Sequence, residues 1–175
     1  MPPDESPEGL GPIVSSGHLA SGAVPALSEF EFGMILVSHA FQRWMVRCMA
    51  SAGLPDASAL DVLVIHNVNH RAKPKRLADI CLVLNIEDTH LVSYSLKKLE
   101  AAGLVASGRL GKEKVVEITP EGRAVCLKYR EIRETLLTRP LAATGLDPAH
   151  LSEIAAMMRA LSGHYDQAAR AAASL

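Results

Sequence analysis

One stretch of this chain reads as β-structure, and it sits alone among helical patterns. Leu104-Val-Ala-Ser-Gly-Arg-Leu-Gly-Lys-Glu-Lys-Val-Val-Glu-Ile118 joins two β-prone segments through a basic, glycine-bearing turn, which is a hairpin signal. Around it apolar residues recur at helical spacing, in the order helix, helix, helix, helix, hairpin, helix, helix. The expected class is mostly α with one small β-hairpin. The three middle helices and the hairpin should form a compact unit.

Capping chemistry marks the helix ends. Ser28-Glu29-Phe30-Glu31 reads as a capping box that opens the first helix. Phe30, Met34, Val37, Phe41, Trp44 and Cys48 form its apolar stripe, and Gly53 ends it. The second helix begins after Ser58, with Leu60, Leu63, Val64 and Val68 inward. A basic loop, Arg71-Ala-Lys-Pro-Lys-Arg76, follows. Pro74 is expected in the first turn of the third helix, where its missing N–H would be unpaired anyway. Leu77, Ile80, Cys81 and Leu84 are that helix's inner face. Asp88 should cap the fourth helix, which ends at Gly103. Its Val92, Ser95, Leu96 and Leu99 point one way, and His90, Ser93, Tyr94, Lys97 and Ala101 the other. Thr119-Pro120-Glu121 opens the fifth helix, with Val125, Tyr129, Ile132 and Leu136 on one stripe. Asp147-Pro148 opens the sixth, where Leu151, Ile154, Met158, Leu161, Tyr165 and Ala168 have the spacing of a helix packed lengthwise on another.

Composition sets bounds. The chain has 175 residues, 49% of them apolar, which suits one domain with a real core. The net charge of -1 argues nothing for nucleic acid, but its distribution does. Residues 71 to 114 hold nine Lys/Arg against five Asp/Glu, a net +4 between acidic flanks. That asymmetry suits a region that meets phosphate, or else a solvated surface with local imbalance. Cys48, Cys81 and Cys126 are odd in number, widely spaced and in apolar company, so they read as reduced, inert thiols. There is no secretory signal and no run of the ~18 apolar residues that would cross a bilayer. A cytoplasmic chain without membrane contact is expected.

Several fragments, taken in order, resemble the MarR family of winged helix regulators. They are Leu77-Ala78-Asp79, Leu91-Val92-Ser93-Tyr94, Leu99-Glu100-Ala101-Ala102-Gly103-Leu104-Val105 and Ile118-Thr119-Pro120-Glu121-Gly122. The resemblance covers residues 28 to 170 and implies a winged helix-turn-helix core with N- and C-terminal dimerisation helices. Four segments follow: a disordered arm at 1–27, a dimerisation helix at 28–57, a winged helix DNA-binding domain at 58–118, and dimerisation helices at 119–175. Two departures from the family pattern stand out. About four extra residues separate Leu77-Ala78 from Ser93, and the wing lacks the Asp-x-Arg-Asp-x-Arg pattern, offering Arg109, Lys112 and Lys114 instead.

The function implied is sequence-specific regulation of transcription, as a repressor, by a homodimer on palindromic duplex DNA. His90, Ser93 and Tyr94 lie in the first two turns of the fourth helix, the part that enters the major groove in such motifs. Lys97 and Lys98 suit backbone phosphates. Lys73, Lys75 and Arg76 precede the third helix, whose dipole adds positive potential. Arg109 and Lys112 are the wing's cations, and Arg109 suits a narrow minor groove.

Rival readings share the fold. His66-Asn-Val-Asn-His70 puts two imidazoles at i and i+4, a spacing that can grip zinc, but nothing nearby is an obvious third ligand, His39, His90 and Cys81 being the candidates. Histidines at a helix C-terminus more often cap carbonyls and meet the dipole, so no metal is expected, with His66 and His70 as weak candidates, and no cofactor. Phe41 and Trp44 could line a pocket for an unidentified small-molecule effector, or simply pack. A thiol sensor through Cys48, Cys81 or Cys126 is disfavoured by their apolar flanks. Gly108-Arg-Leu-Gly-Lys112 is too short for a phosphate loop, and no catalytic motif is present, so an enzyme is not expected. A winged helix used only for protein contacts would show no salt-dependent affinity for DNA.

Overall fold

The computed structural model describes residues 13–175; the first twelve residues of the expected arm lie outside the described residues. The chain divides into two compact units, one up to Tyr129 and one from Arg130.

In the first unit α1 (Pro25–Ser51), α2 (Ala59–Asn69), α3 (Leu77–Leu84) and α4 (Thr89–Ala101) precede an antiparallel hairpin, β1 (Val105–Leu110) and β2 (Glu113–Ile118). The expected class, mostly helical with one hairpin, is the observed one. α5 (Pro120–Arg133) follows. The core gathers around α2, where Val62, Val64, Ile65 and Val68 are buried against α1, α4 and β2. Met45, Cys48 and Met49 of α1, Ile80 and Cys81 of α3, and Val92, Leu96 and Leu99 of α4 complete it with Val105, Val115 and Val116 of the hairpin. A helix packed on several sides is apolar all round. That is why Val62 and Ile65 are buried, while the expected Leu60 and Leu63 are only half-buried.

Some local expectations need correction. α1 starts at Pro25, not Ser28, because a proline at the first turn already opens it. The Ser28 hydroxyl instead donates to the Leu19 carbonyl at 2.7 Å. The capping box lies at α2, where Asp61 N donates to Ser58 Oγ at 3.2 Å and Ser58 N to Asp61 Oδ2 at 2.8 Å. Along α1 only the C-terminal half of the stripe enters the core; Val37 and Phe41 are exposed. Pro74 lies before α3 rather than in it. Lys75 there pairs with Val116, adding an isolated bridge beside β2.

The second unit holds a π-type turn over Glu134–Thr138, a short α6 (Arg139–Ala142) and α7 (Pro148–Ala172). The expected fifth helix runs on past Arg133 through this π-type turn and α6, the turn lying where Pro140 cannot donate to the Leu136 carbonyl. α7 opens as expected, with Asp147 Oδ1 accepting from Ala149 N at 2.9 Å. None of its residues is buried, and Leu151, Ile154, Met157, Met158 and Tyr165 are exposed.

Candidate nucleic-acid interface

α4 is shaped to show one polar face. α3 ends at Asn85, in the left-handed conformation at φ 52°, and Ile86 N returns to Cys81 O at 2.9 Å. The chain turns sharply there, so Asp88 can cap α4 by accepting from His90 N at 2.9 Å. Gly103, at φ +73°, ends the helix in a conformation that disfavours other residues. As the pattern required, Val92, Ser95, Leu96 and Leu99 are buried. His90, Tyr94, Lys97 and Ala101 are exposed and Ser93 is half-buried.

The hairpin beside it carries cations. Gly111, at φ +63°, and Lys112 form its turn, with Arg109 opposite Lys114 and Leu110 opposite Glu113. Two like charges directly opposed in a ladder repel one another. Nothing among the described residues forms an ion pair with Arg109 or Lys114. Lys114 and Lys97 both line a cleft of about 200 Å³, together with Glu100, Ser93 and Ser107. As a site residue Lys114 is legible only once the turn fixes the strand register.

The hairpin is fastened at several points. At its base Thr119 Oγ1 lies 2.8 and 3.0 Å from the Gly103 and Leu104 carbonyl oxygens and accepts from Gly122 N. On the α4 side Glu100 Oε1 accepts from Ser107 N at 2.9 Å; the Ser107 hydroxyl, this N–H and the charge of Lys114 hold the Glu100 carboxyl below its usual range. On the α3 side Lys75 N donates to Val116 O at 2.9 Å and Val116 N to Lys75 O at 2.8 Å.

The structure sorts the sequence candidates into two kinds. Lys73, Lys97, Arg109 and Lys112 are exposed, Lys75 is half-buried, and none forms an ion pair among the described residues. Arg76 and Lys98 are already occupied. Arg76 grips Asp79 at 2.9 and 3.0 Å and Glu113 at 3.2 Å. Asp79 and Glu113 raise the guanidinium's pKa above its ordinary value. Lys98 lies one turn after Tyr94, at the edge of the polar face. Its ammonium donates to Asp61 Oδ2 at 2.8 Å and to the Asp56 carbonyl. Burial pushes the Asp61 carboxyl up, but Lys98, the Ser58 N–H and the neighbouring serine hydroxyls outweigh it and hold the carboxyl below its usual range.

The rival sites separate in space. His66 is on α2, where its ring meets Tyr129 edge-on at 4.6 Å, and burial lowers its pKa. His70 is the C-cap of that helix and is exposed, whereas His66 is half-buried. Among the described residues no three His, Cys, Asp or Glu side chains gather as a metal site would need. All three cysteines are buried, and burial pushes the Cys126 thiol up to about 11. Cys48 Sγ donates to the Tyr129 carbonyl at 3.6 Å. Trp44 is half-buried with Nε1 unpartnered, while Phe41 faces outward. No helix among the described residues is long and apolar enough to cross a membrane.

Comparison with known proteins agrees with this geometry. Residues 58–122 match the family model described as a winged helix DNA-binding domain. No curated protein matches the chain. Among solved structures, a MarR-family transcriptional regulator from Rhodococcus sp. RHA1 is similar over 76% of this chain and 91% of its own, with a TM-score of 0.63 at 13% identity. CouR from Rhodococcus jostii RHA1, solved bound to p-coumaroyl-CoA, is similar over 75% of this chain and 90% of its own, with a TM-score of 0.61 at 12% identity. BpsR from Bordetella bronchiseptica, whose DNA binding is regulated by 6-hydroxynicotinic acid, is similar over 73% and 91%, with a TM-score of 0.54 at 23% identity. The fold is thus the MarR-like winged helix fold.

Proposed function

We propose that this MarR-like winged helix chain is a cytoplasmic transcription regulator, acting as a repressor, that reads the major groove of duplex DNA with α4 and lays the β1–β2 wing alongside. It acts by binding and not by catalysis. The carrying observation is the set of unpaired cations on one surface. Arg109 and Lys114 oppose each other on the wing, and Lys114 lines one cleft with Lys97 and Glu100 of α4. Phosphates would relieve that repulsion. Lys73, Lys75 and Lys112 extend the positive surface, while His90, Ser93 and Tyr94 present hydrogen-bonding groups to base edges.

A homodimer completes the reading. The apolar residues of α7 lie uncovered, and so do Ile35, Leu36, Val37 and Phe41 of α1. Apolar stripes of this length call for a partner surface. A twofold dimer would place two α4 helices about one DNA turn, ~34 Å, apart and favour a palindromic site. A small-molecule effector fits the same reading, since CouR and BpsR were each characterised with one. Selection of bound duplexes from a random pool, paired with sedimentation of the free protein, tests the proposal. The expected outcome is an inverted repeat recovered by a dimer. A folded protein that enriches no motif would leave only a protein-contact role.

A further inference from the structure

We propose that Arg76 is a positioning residue: through Glu113 it fixes the wing against α3, and so sets where Arg109, Lys112 and Lys114 meet DNA. The inference rests on the DNA-binding reading above and deepens it.

The geometry gives Arg76 a fork, not a free charge. Nε and Nη2 hold the two oxygens of Asp79 at 2.9 and 3.0 Å, one turn into α3. Nη1 reaches Glu113 Oε1 at 3.2 Å and Oε2 at 3.4 Å. Asp79 is anchored on the helix, so it orients the guanidinium, and the remaining N–H group is aimed at the wing. Only arginine has this planar, multiply donating shape.

Glu113 is the right residue to hold. It is the first residue of β2, directly after the Gly111-Lys112 turn and beside Lys114. The base of the hairpin is fastened elsewhere, by Thr119 and by the Lys75–Val116 pair. Glu100 holds β1 at Ser107, three residues before the end of that strand. Among the described residues the Arg76–Glu113 pair is the hydrogen bond that ties the outer part of the wing, where its cations sit, to the α3 side. Two carboxylates also offset the Arg76 charge and take most of its donors, which leaves it poorly disposed to act as a phosphate contact.

Charge-conserving variants separate the two roles. Arg76→Lys keeps the charge but loses the fork, and Glu113→Asp keeps the charge but withdraws it by one methylene. Affinity for the selected duplex is measured for each, alone and in a background lacking the wing cations (Arg109→Ala with Lys114→Ala). Hydrogen exchange of the amides around the Gly111 turn is followed in the free protein. A positioning role gives a three- to fivefold loss in both single variants, the size of effect an exposed network carries. It gives no further loss in the background without wing cations, and faster exchange at the turn. Losses that add in that background, unchanged affinity in the single variants, or unchanged exchange would each overturn the proposal. If the wild-type protein binds no duplex, the DNA-binding reading fails, whereas the exchange arm still reads the tether itself.

Discussion

Replacing Lys98 by Met distinguishes a scaffold lysine from a DNA-binding one. Its ammonium pairs with Asp61, whose side chain is 3% exposed, while the Lys98 side chain is 37% exposed. Removing one partner of a buried pair costs about 3–5 kcal/mol, because a charge is left uncompensated. Two features reduce that here. The Lys98 end is partly solvated, and Asp61 keeps the Ser58 N–H at 2.8 Å. Methionine also preserves the aliphatic stem. The net cost should be about 2 kcal/mol at pH 7, or a fall in Tm of about 4–8 °C for a chain of this size. The pH dependence follows from Asp61. Its folded pKa is held below the unfolded value, so its contribution is present above about pH 4 and is lost as pH falls through the folded pKa. The gap between wild type and variant should therefore be full at pH 7 and narrow towards pH 3. Urea denaturation followed by circular dichroism, at one protein concentration across pH 3 to 7, measures it. An unchanged stability at pH 7, together with a weaker salt dependence of DNA binding, would refute the assignment and return Lys98 to the phosphate contacts.

Two further stability predictions follow from the same core. At Gly122 an added Cβ would collide with the Leu104 carbonyl oxygen and come within 2.7 Å of Ile118 Cδ1, so Gly122→Ala should cost about 3 kcal/mol in a denaturation experiment. Burial lowers the His66 pKa, so on acidification the unfolded chain takes up a proton near pH 6.5 that the folded chain accepts only at lower pH. Stability should thus fall between pH 7 and 5, and His66→Phe, which keeps a ring against Tyr129, should flatten that part of the profile in thermal melts.

Much of this architecture was legible because its signals are local. The capped start of α4, its two faces and its glycine stop depend on residues within one helix, and the hairpin depends on its own turn. The same holds for Thr119 and Asp147, whose side chains cap the helices that follow them. Signals that compete were harder to read. Ser28-Glu29-Phe30-Glu31 has the letters of a capping box, but Pro25 opens the helix first, and the Ser28 hydroxyl finds Leu19. At Pro74 the chain is drawn into a bridge with β2, which no local pattern foretells. The candidate site shows the same division. Exposure of His90, Tyr94 and Lys97 follows from the helical period. The engagement of Arg76 and Lys98 does not, because their partners Glu113 and Asp61 each stand 37 residues away in sequence. A basic residue beside a recognition helix reads alike whether it meets a phosphate or a buried carboxylate.

The central claim is that α4 and the wing form a DNA-binding surface through their unpaired cations. Fluorescence anisotropy with a selected and a scrambled duplex, across 50 to 200 mM salt, tests it most directly, using wild type, Lys97→Met and Lys98→Met. The expected result is tighter binding to the selected duplex, with affinity falling by ~10³ to 10⁵ over that range if six to ten phosphates are met. Lys97→Met should weaken both duplexes alike and lower the log–log salt slope by about 0.9, while Lys98→Met leaves the slope unchanged. Affinity independent of salt, or a Lys97→Met protein that binds like wild type, would contradict the account.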